Sequence, residues 1–298
     1  MNTDQLAFDN PVDRHPTISP PQQDQDMPGL DAELTPRADI GEHSYRGTGR
    51  LTGRKALVTG GDSGIGAAVA IAFAREGADV AINYLPAEEE DAERIVGLVL
   101  AEGRLGVGIP GDITDSTFCA DLVDGAVERL GGLDILVNNA AKQVTVPRLE
   151  ELDDEQFDRT MKTNLYAMFW ITKAALPRMP AGAAIIQTSS KQGYGPSDHL
   201  LDYATSKAAM TAFTKGLAKQ CAPDGIRVNA VAPGPVWTPL QVVEGQPKES
   251  LPEFGFQTPL GRAAMPVELA PAFVFLASSE SSYVVGETLH VNGGLDSP

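Results

Sequence analysis

Cysteine is nearly absent from this chain of 298 residues, which holds only Cys119 and Cys221. Two cysteines make no disulfide framework of the kind that staples small secreted domains. Histidine is scarce as well: His15, His43, His199 and His290 are scattered, with no Cys/His cluster at metal-ligand spacing, so no metal site is expected. Basic residues are outnumbered, 23 Lys and Arg against 40 Asp and Glu, for a net charge of −17. That balance argues against nucleic acid and anionic membrane surfaces as partners, since both need a basic patch. Its simplest use is solubility. No apolar run approaches the roughly 20 residues that span a bilayer. Met1-Asn-Thr-Asp-Gln lacks the basic region and apolar core of a secretory signal. A cytoplasmic protein is expected.

Proline is unevenly spread. Pro11, Pro16, Pro20, Pro21, Pro28 and Pro36 fall in residues 1–50, among Asp, Gln and Gly with no sustained period. Proline fixes φ and removes a donor, so this stretch cannot hold long helices or central strands. It is either a disordered arm or an extended strap over a folded body, for which Leu6, Phe8, Leu30, Leu34 and Tyr45 are the available anchors.

From residue 51 to 298 the pattern is regular. Short apolar runs end at turns and alternate with helical stretches. The expected strands are 55–59, 80–84, 105–109, 134–138, 183–187, 227–231 and 288–291. The expected helices are 67–76, 87–102, 115–130, 154–176, 203–221 and 266–277. Such alternation predicts an α/β domain, a doubly wound parallel sheet of about seven strands covered by helices on both faces. Ligands of such sheets bind outside the carboxyl ends of the strands.

The chemistry-bearing residues fall at those ends. Gly60-Gly61-Asp62-Ser63-Gly64-Ile65-Gly66 joins the first strand to the first helix. Gly60 permits a tight turn, Gly64 a close approach to pyrophosphate and Gly66 close helix packing. The helix start offers free N–H groups to phosphate. The second strand ends in Asn83-Tyr84-Leu85-Pro86, with neither the Asp usual for NAD nor a basic residue for the 2′-phosphate of NADP. Asp62 and the acidic run 88–91 tilt the expectation toward NAD over NADP. Asp112-Ile113 follows the third strand, where Asp112 can accept from an adenine amino group. Asn139-Ala140 follows the fourth, Ser189-Ser190 the fifth, and Pro233-Gly234-Pro235-Val236-Trp237-Thr238 the sixth. Tyr203 and Lys207 lie one helical turn apart on one face, where the ammonium can stabilise a phenolate and bring the tyrosine toward neutral pH.

This set, in this order, resembles the short-chain dehydrogenase/reductase family over about residues 51–298. With the Pro-rich extension it resembles a bacterial subgroup of general-stress oxidoreductases. The resemblance implies Tyr203 as general acid/base, with Lys207 lowering its pKa and holding the nicotinamide ribose. It implies Ser190, rather than Ser189, orienting the substrate oxygen, and Asn164 holding a water that links Lys207 to solvent. Ala141 stands where the family more often has Gly. An NAD(P)-dependent interconversion of alcohol and carbonyl is therefore expected. So is a homotetramer built through helices 115–130, 154–176 and 203–221. A dinucleotide-binding sensor on the same fold is the alternative, and epimerisation or dehydration with retained cofactor is a third reading. The loop 237–256 reads as a lid or an ordinary surface loop. Trp237, Leu240, Val242, Leu251 and Phe254 are its candidate pocket residues, and Tyr194 and His199 are further candidates.

Overall fold

The computed structural model describes residues 4–296; Met1–Thr3, part of the stretch read above for a leader, and the last two residues lie outside them. Seven strands form one parallel sheet: β1 (Lys55–Thr59), β2 (Asp79–Tyr84), β3 (Gly106–Pro110), β4 (Ile135–Asn138), β5 (Ala184–Thr188), β6 (Arg227–Pro233) and β7 (Thr288–Val291). Their order is β3-β2-β1-β4-β5-β6-β7. The chain starts at the middle and winds outward in both directions, so the order reverses between β1 and β4 and opens a crevice there.

The helices are α1 (Gly64–Arg75), α2 (Glu89–Ala101), α3 (Ser116–Leu130), α4 (Asp154–Met161), α5 (Ala167–Ala175), α6 (Leu201–Cys221) and α7 (Ala270–Ala277). Side chains of a strand alternate between faces, and the core divides accordingly. Ala56 and Val58 pack with α1, α2 and α7, whereas Leu57 packs with α3, α5 and α6. The same split separates Ile135 and Val137 from Leu136. Both faces are covered, which is why the strands read as continuous apolar runs rather than alternating ones.

One expected element is broken. The helix foreseen over 154–176 is α4, a π-helical turn at Lys162–Tyr166, then α5. A π turn takes a carbonyl out of the i+4 ladder, and such turns gather at functional sites.

Residues 4–50 take the strap form. Ile18, Leu34, Ile40 and Tyr45 are buried in the layer with α1, α2 and α7, while Leu6 and Phe8 are exposed. The strap is tied by buried polar contacts. Glu76, at the end of α1, accepts from Tyr45 Oη at 2.7 Å, Thr48 N at 2.9 Å and Arg50 N at 3.0 Å. It also pairs with the Arg50 guanidinium at 2.6 Å. These bonds hold its carboxyl down at about 2, against the pull of burial. The Arg75 guanidinium donates to the carbonyls of Gly41, Glu42 and Tyr45.

Candidate active site

A cavity of about 390 Å³ opens at the carboxyl ends of the strands, over the crevice between β1 and β4. Its floor is the glycine turn. Gly60 and Gly64 have φ of +60° and +49°, the left-handed region that favours glycine. A Cβ on Gly64 would stand 2.9 Å from Thr238 Cγ2, and one on Gly66 would overlap the Gly60 carbonyl. Thr59 at the end of β1 locks the turn to the next segment. Its Oγ1 accepts from Asn139 N at 2.9 Å and Ala140 N at 3.1 Å. The Asn139 amide returns two bonds, to Thr59 O and Gly60 O.

At the β2 end, Asn83 donates to Ile109 O at 3.2 Å and Gly111 O at 3.1 Å, tying β2 to the β3 exit. Tyr84 Oη donates to Glu89. Asp62 is 1% exposed, and its Oδ2 lacks a hydrogen-bond partner among the described residues. Burial pushes the Asp62 carboxyl well up, and Glu88 beside it adds to the rise. An unpaired buried acceptor is costly, and this one lies against the cavity. Asp112 also lines the cavity, its carboxylate capping Thr114 N and pairing with Arg159 at 3.4 Å.

The Tyr203–Lys207 pair stands on α6, facing the end of β5. Lys207 Nζ lies 5.5 Å from the centre of the Tyr203 ring and donates to Thr188 O at 2.6 Å. Ser190 lines the cavity beside Tyr203 and acts to lower the phenol's pKa. The neutral-pH phenol foreseen from the Tyr/Lys spacing is not what this geometry gives. Burial pushes Tyr203 up to about 12, against the lowering by Ser190, and pulls Lys207 down to about 7. Desolvation opposes the charged form of both groups, and it outweighs the attraction of an ammonium aimed at a carbonyl rather than at the phenol oxygen.

Ser189 and Ser190 are separated by direction. Ser189 Oγ turns back to α6, bonding Thr211 Oγ1 at 3.1 Å, while Ser190 Oγ accepts from Gln192 N and reaches Tyr203. Asn164 does not line the cavity. Its amide is consumed one layer behind: Oδ1 accepts from Lys142 N at 2.7 Å, and Nδ2 donates to Lys142 O at 2.9 Å and Ser206 Oγ at 3.0 Å. Ser206 in turn donates to Tyr203 O at 2.6 Å. The Asn164 side chain therefore positions α6 and the segment after β4. Gly66 likewise packs beneath the turn. The other expected site residues, Ser63, Ile65, Ile113, Pro233, Gly234 and Val236 among them, line the one cavity.

Residues 60–296 match the sequence profile of a family described as enoyl-(acyl carrier protein) reductase. The chain belongs to the short-chain dehydrogenase/reductase family. The uncharacterized oxidoreductase YhxD of Bacillus subtilis is 56% identical over 278 residues, covering 92% of this chain and 93% of that protein. General stress protein 39 of Bacillus subtilis is 46% identical, covering 94% and 97%. Among solved structures, a short chain dehydrogenase from Burkholderia cenocepacia in complex with NADP superposes with a TM-score of 0.77 at 34% identity, over 82% of this chain and 98% of that one. A 3-ketoacyl-(acyl-carrier-protein) reductase from Brucella melitensis complexed with NADH gives 0.74 at 30%, with the same coverage.

Several parts of this family site carried no sequence signal. Asp202 is 1% exposed and holds the head of α6: Oδ1 accepts from Tyr203 N and Oδ2 from Thr160 Oγ1, both at 2.7 Å. Thr59 bonds Asn139 and Ala140, Lys142 bonds Asn164, and Ser206 bonds Tyr203 O, at 2.6–3.1 Å. Of the candidate pocket residues, Leu240, Phe254 and His199 line the cavity. Trp237, Val242 and Leu251 do not; they are buried in the layer beneath the arm, where Trp237 Nε1 donates to Pro36 O at 2.7 Å. Tyr194 stacks edge-on with His290, at 4.7 Å between ring centres.

Proposed function

We propose that this chain is an NAD(P)-dependent oxidoreductase that interconverts a secondary alcohol and a carbonyl compound, with Tyr203 as the general acid/base. The observation that carries the reading is one cavity lined by Ser190, Tyr203 and Lys207 together, in which Lys207 lies over the Tyr203 ring and the glycine turn forms the floor. The residues fit a dinucleotide. Gly60 and Gly64 let the turn take left-handed φ and pack against Ala140 and Thr238, the start of α1 offers N–H groups to a diphosphate, and Asp62 Oδ2 is an acceptor suited to a ribose hydroxyl. Asp112 would take the adenine amino group, and Lys207 the second ribose. When bound, the nicotinamide supplies or accepts the hydride.

The chain's own residues do the rest. Ser190 holds the substrate oxygen against the phenol. Tyr203 keeps its proton up to about pH 12, so at neutral pH it stands as an acid, ready to protonate a carbonyl oxygen. Tyr203→Phe should bind NADH or NADPH as the wild type does and lose nearly all turnover across a carbonyl panel; full activity in that variant sinks the proposal.

Three finer readings go with it. The cavity presents Asn83, Tyr84, Leu85 and Glu88 at the β2 end, with Asp62 beside them, which supports NAD over NADP. Tighter binding of NADPH than NADH would reject that. A homotetramer is supported by half-exposed Phe157, Tyr166 and Phe169 on α4, the π turn and α5; mass in solution tests it. Residues 51–298 are read as the catalytic domain and 1–50 as its extension, in a cytoplasmic protein; among the described residues no helix is long and apolar enough to cross a membrane.

A further inference from the structure

We propose that the loop Gln25–Leu30 of the N-terminal arm is a wall of the dinucleotide site, so that the arm takes part in binding the cofactor. The inference rests on the reading that the cavity takes a dinucleotide. Met27, Pro28 and Gly29 line that cavity together with Gly64 and Asn139. The loop is closed on itself by one side chain: Gln25 Oε1 accepts from Leu30 N at 2.7 Å, and Gln25 Nε2 donates to Leu30 O at 3.3 Å. The tip is thereby held as a small rigid unit.

Both flanking walls grip it. On one side Gln25 N donates to Val242 O at 3.3 Å. A Cβ on Gly29 would come within 2.6 Å of Val243 Cγ1 and 3.1 Å of Pro239 Cβ, so the loop is pressed against the segment after β6. On the other side Asp31 N donates to Asp91 Oδ2 at 2.7 Å, and the Asp31 carboxylate pairs with Arg94 at 3.2 Å. Asp31 Oδ1 also accepts a long bond, 3.5 Å, from Gly64 N at the start of α1.

The arm thus reaches the glycine turn and the post-β6 segment at once. Its other anchors, such as Tyr45 on Glu76, do not line the cavity. An arm that only braced the fold would need no residues in the cavity. A molecule filling the cavity from the glycine turn to the post-β6 segment must touch this loop, and a loop already fixed by both walls costs little to order on binding.

Gln25→Ala opens the loop and should raise the Kd for NADH about tenfold, the scale of losing the hold of one or two hydrogen bonds. Turnover at saturating cofactor should stay within about twofold, because no reacting group is touched. Gln5→Ala breaks a matching clamp on Arg46, at an exposed part of the arm outside the cavity, and should leave the Kd unchanged. In the wild type, amide exchange over residues 25–31 should slow when NADH is added; this measurement decides if Gln25→Ala does not fold. Binding of NADH with unchanged exchange there, or a Gln25→Ala Kd equal to that of Gln5→Ala, overturns the proposal alone. A wild type that binds neither NADH nor NADPH overturns the reading beneath it and this proposal together.

Discussion

Lys207 should cost this fold stability, and Lys207→Met measures how much. The side chain is 1% exposed, and burial pulls its pKa from 10.5 to about 7. At 1.36 kcal/mol per pH unit, that gap is a penalty of ~5 kcal/mol whenever the folded protein must hold the ammonium. Removing the amine leaves Thr188 O, now bonded at 2.6 Å, without its donor, which costs the variant ~2 kcal/mol. Methionine fills a similar volume without a charge, so the variant should be more stable by ~3 kcal/mol at pH 6, or roughly 5–10 °C in Tm. The sign follows from linkage. A lysine with a lowered folded pKa binds fewer protons folded than unfolded, so wild-type stability rises as pH climbs from about 7 toward 10.5. The gap between variant and wild type should therefore shrink steadily over that window. Urea unfolding at pH 6 and at pH 9.5 is the assay, with turnover expected to vanish in the variant. A Met variant less stable at pH 6, or a gap independent of pH, would refute the reasoning: the ammonium would then be fully solvated by its site.

Three other outcomes are expected. Glu76→Gln should lose the acid sensitivity that the arm anchor confers. The wild-type carboxyl, held at about 2 instead of 4.5, contributes ~3 kcal/mol above pH 4.5 that fades as pH falls through about 2, so acid unfolding curves should flatten in the variant. Asn164→Ala should destabilise by about 2–4 kcal/mol, since three buried bonds are lost and Lys142 N is left without its acceptor; denaturant midpoints read this. Ser190→Ala should lower melting by only a few degrees, the loss of its capping bond to Gln192 N, but cut kcat/KM by about 10²–10³, because the hydroxyl orients the reacting oxygen.

The sheet was legible because its strands are buried on both faces and its turns are marked by glycine. Residues 55–59 and 288–291 are strands as read, the strand read as 227–231 runs two residues further to Pro233, and the other strand ends move by at most one residue. What the pattern could not show was the interruption at Lys162–Tyr166. A π turn adds one residue to a helix without changing which residues are apolar, so Phe157, Leu165 and Ala167 read as one continuous helix. The site was legible in proportion to how far its chemistry depends on fixed spacing. Gly60, Gly64, Tyr203 and Lys207 are set by a turn and by one helical repeat. The strand-end residues are set by position alone, and they too reach the cavity. The phenol's pKa was misjudged for a definite reason: spacing places an ammonium near a ring, but it does not say toward which oxygen Nζ points.

The arm is the harder case, and its bonding shows what a sequence signal for it would be. Proline supplies no N–H, so a Pro-rich strap lying on a surface has few donors left to satisfy, but it also has little with which to hold its shape. Three glutamines fill that gap. Gln5 clamps the N–H and C=O of Arg46, Gln23 those of Thr35, and Gln25 those of Leu30. In each case one side-chain amide does what a paired strand does, offering a donor and an acceptor to a single residue's backbone. A glutamine can do this and a glutamate cannot, because an ionised carboxylate only accepts. Gln among Pro in residues 1–50 is thus a reason to read a folded strap where composition alone allows disorder. Replacing Gln23 by Glu should loosen the arm more than replacing the neighbouring, exposed Gln22.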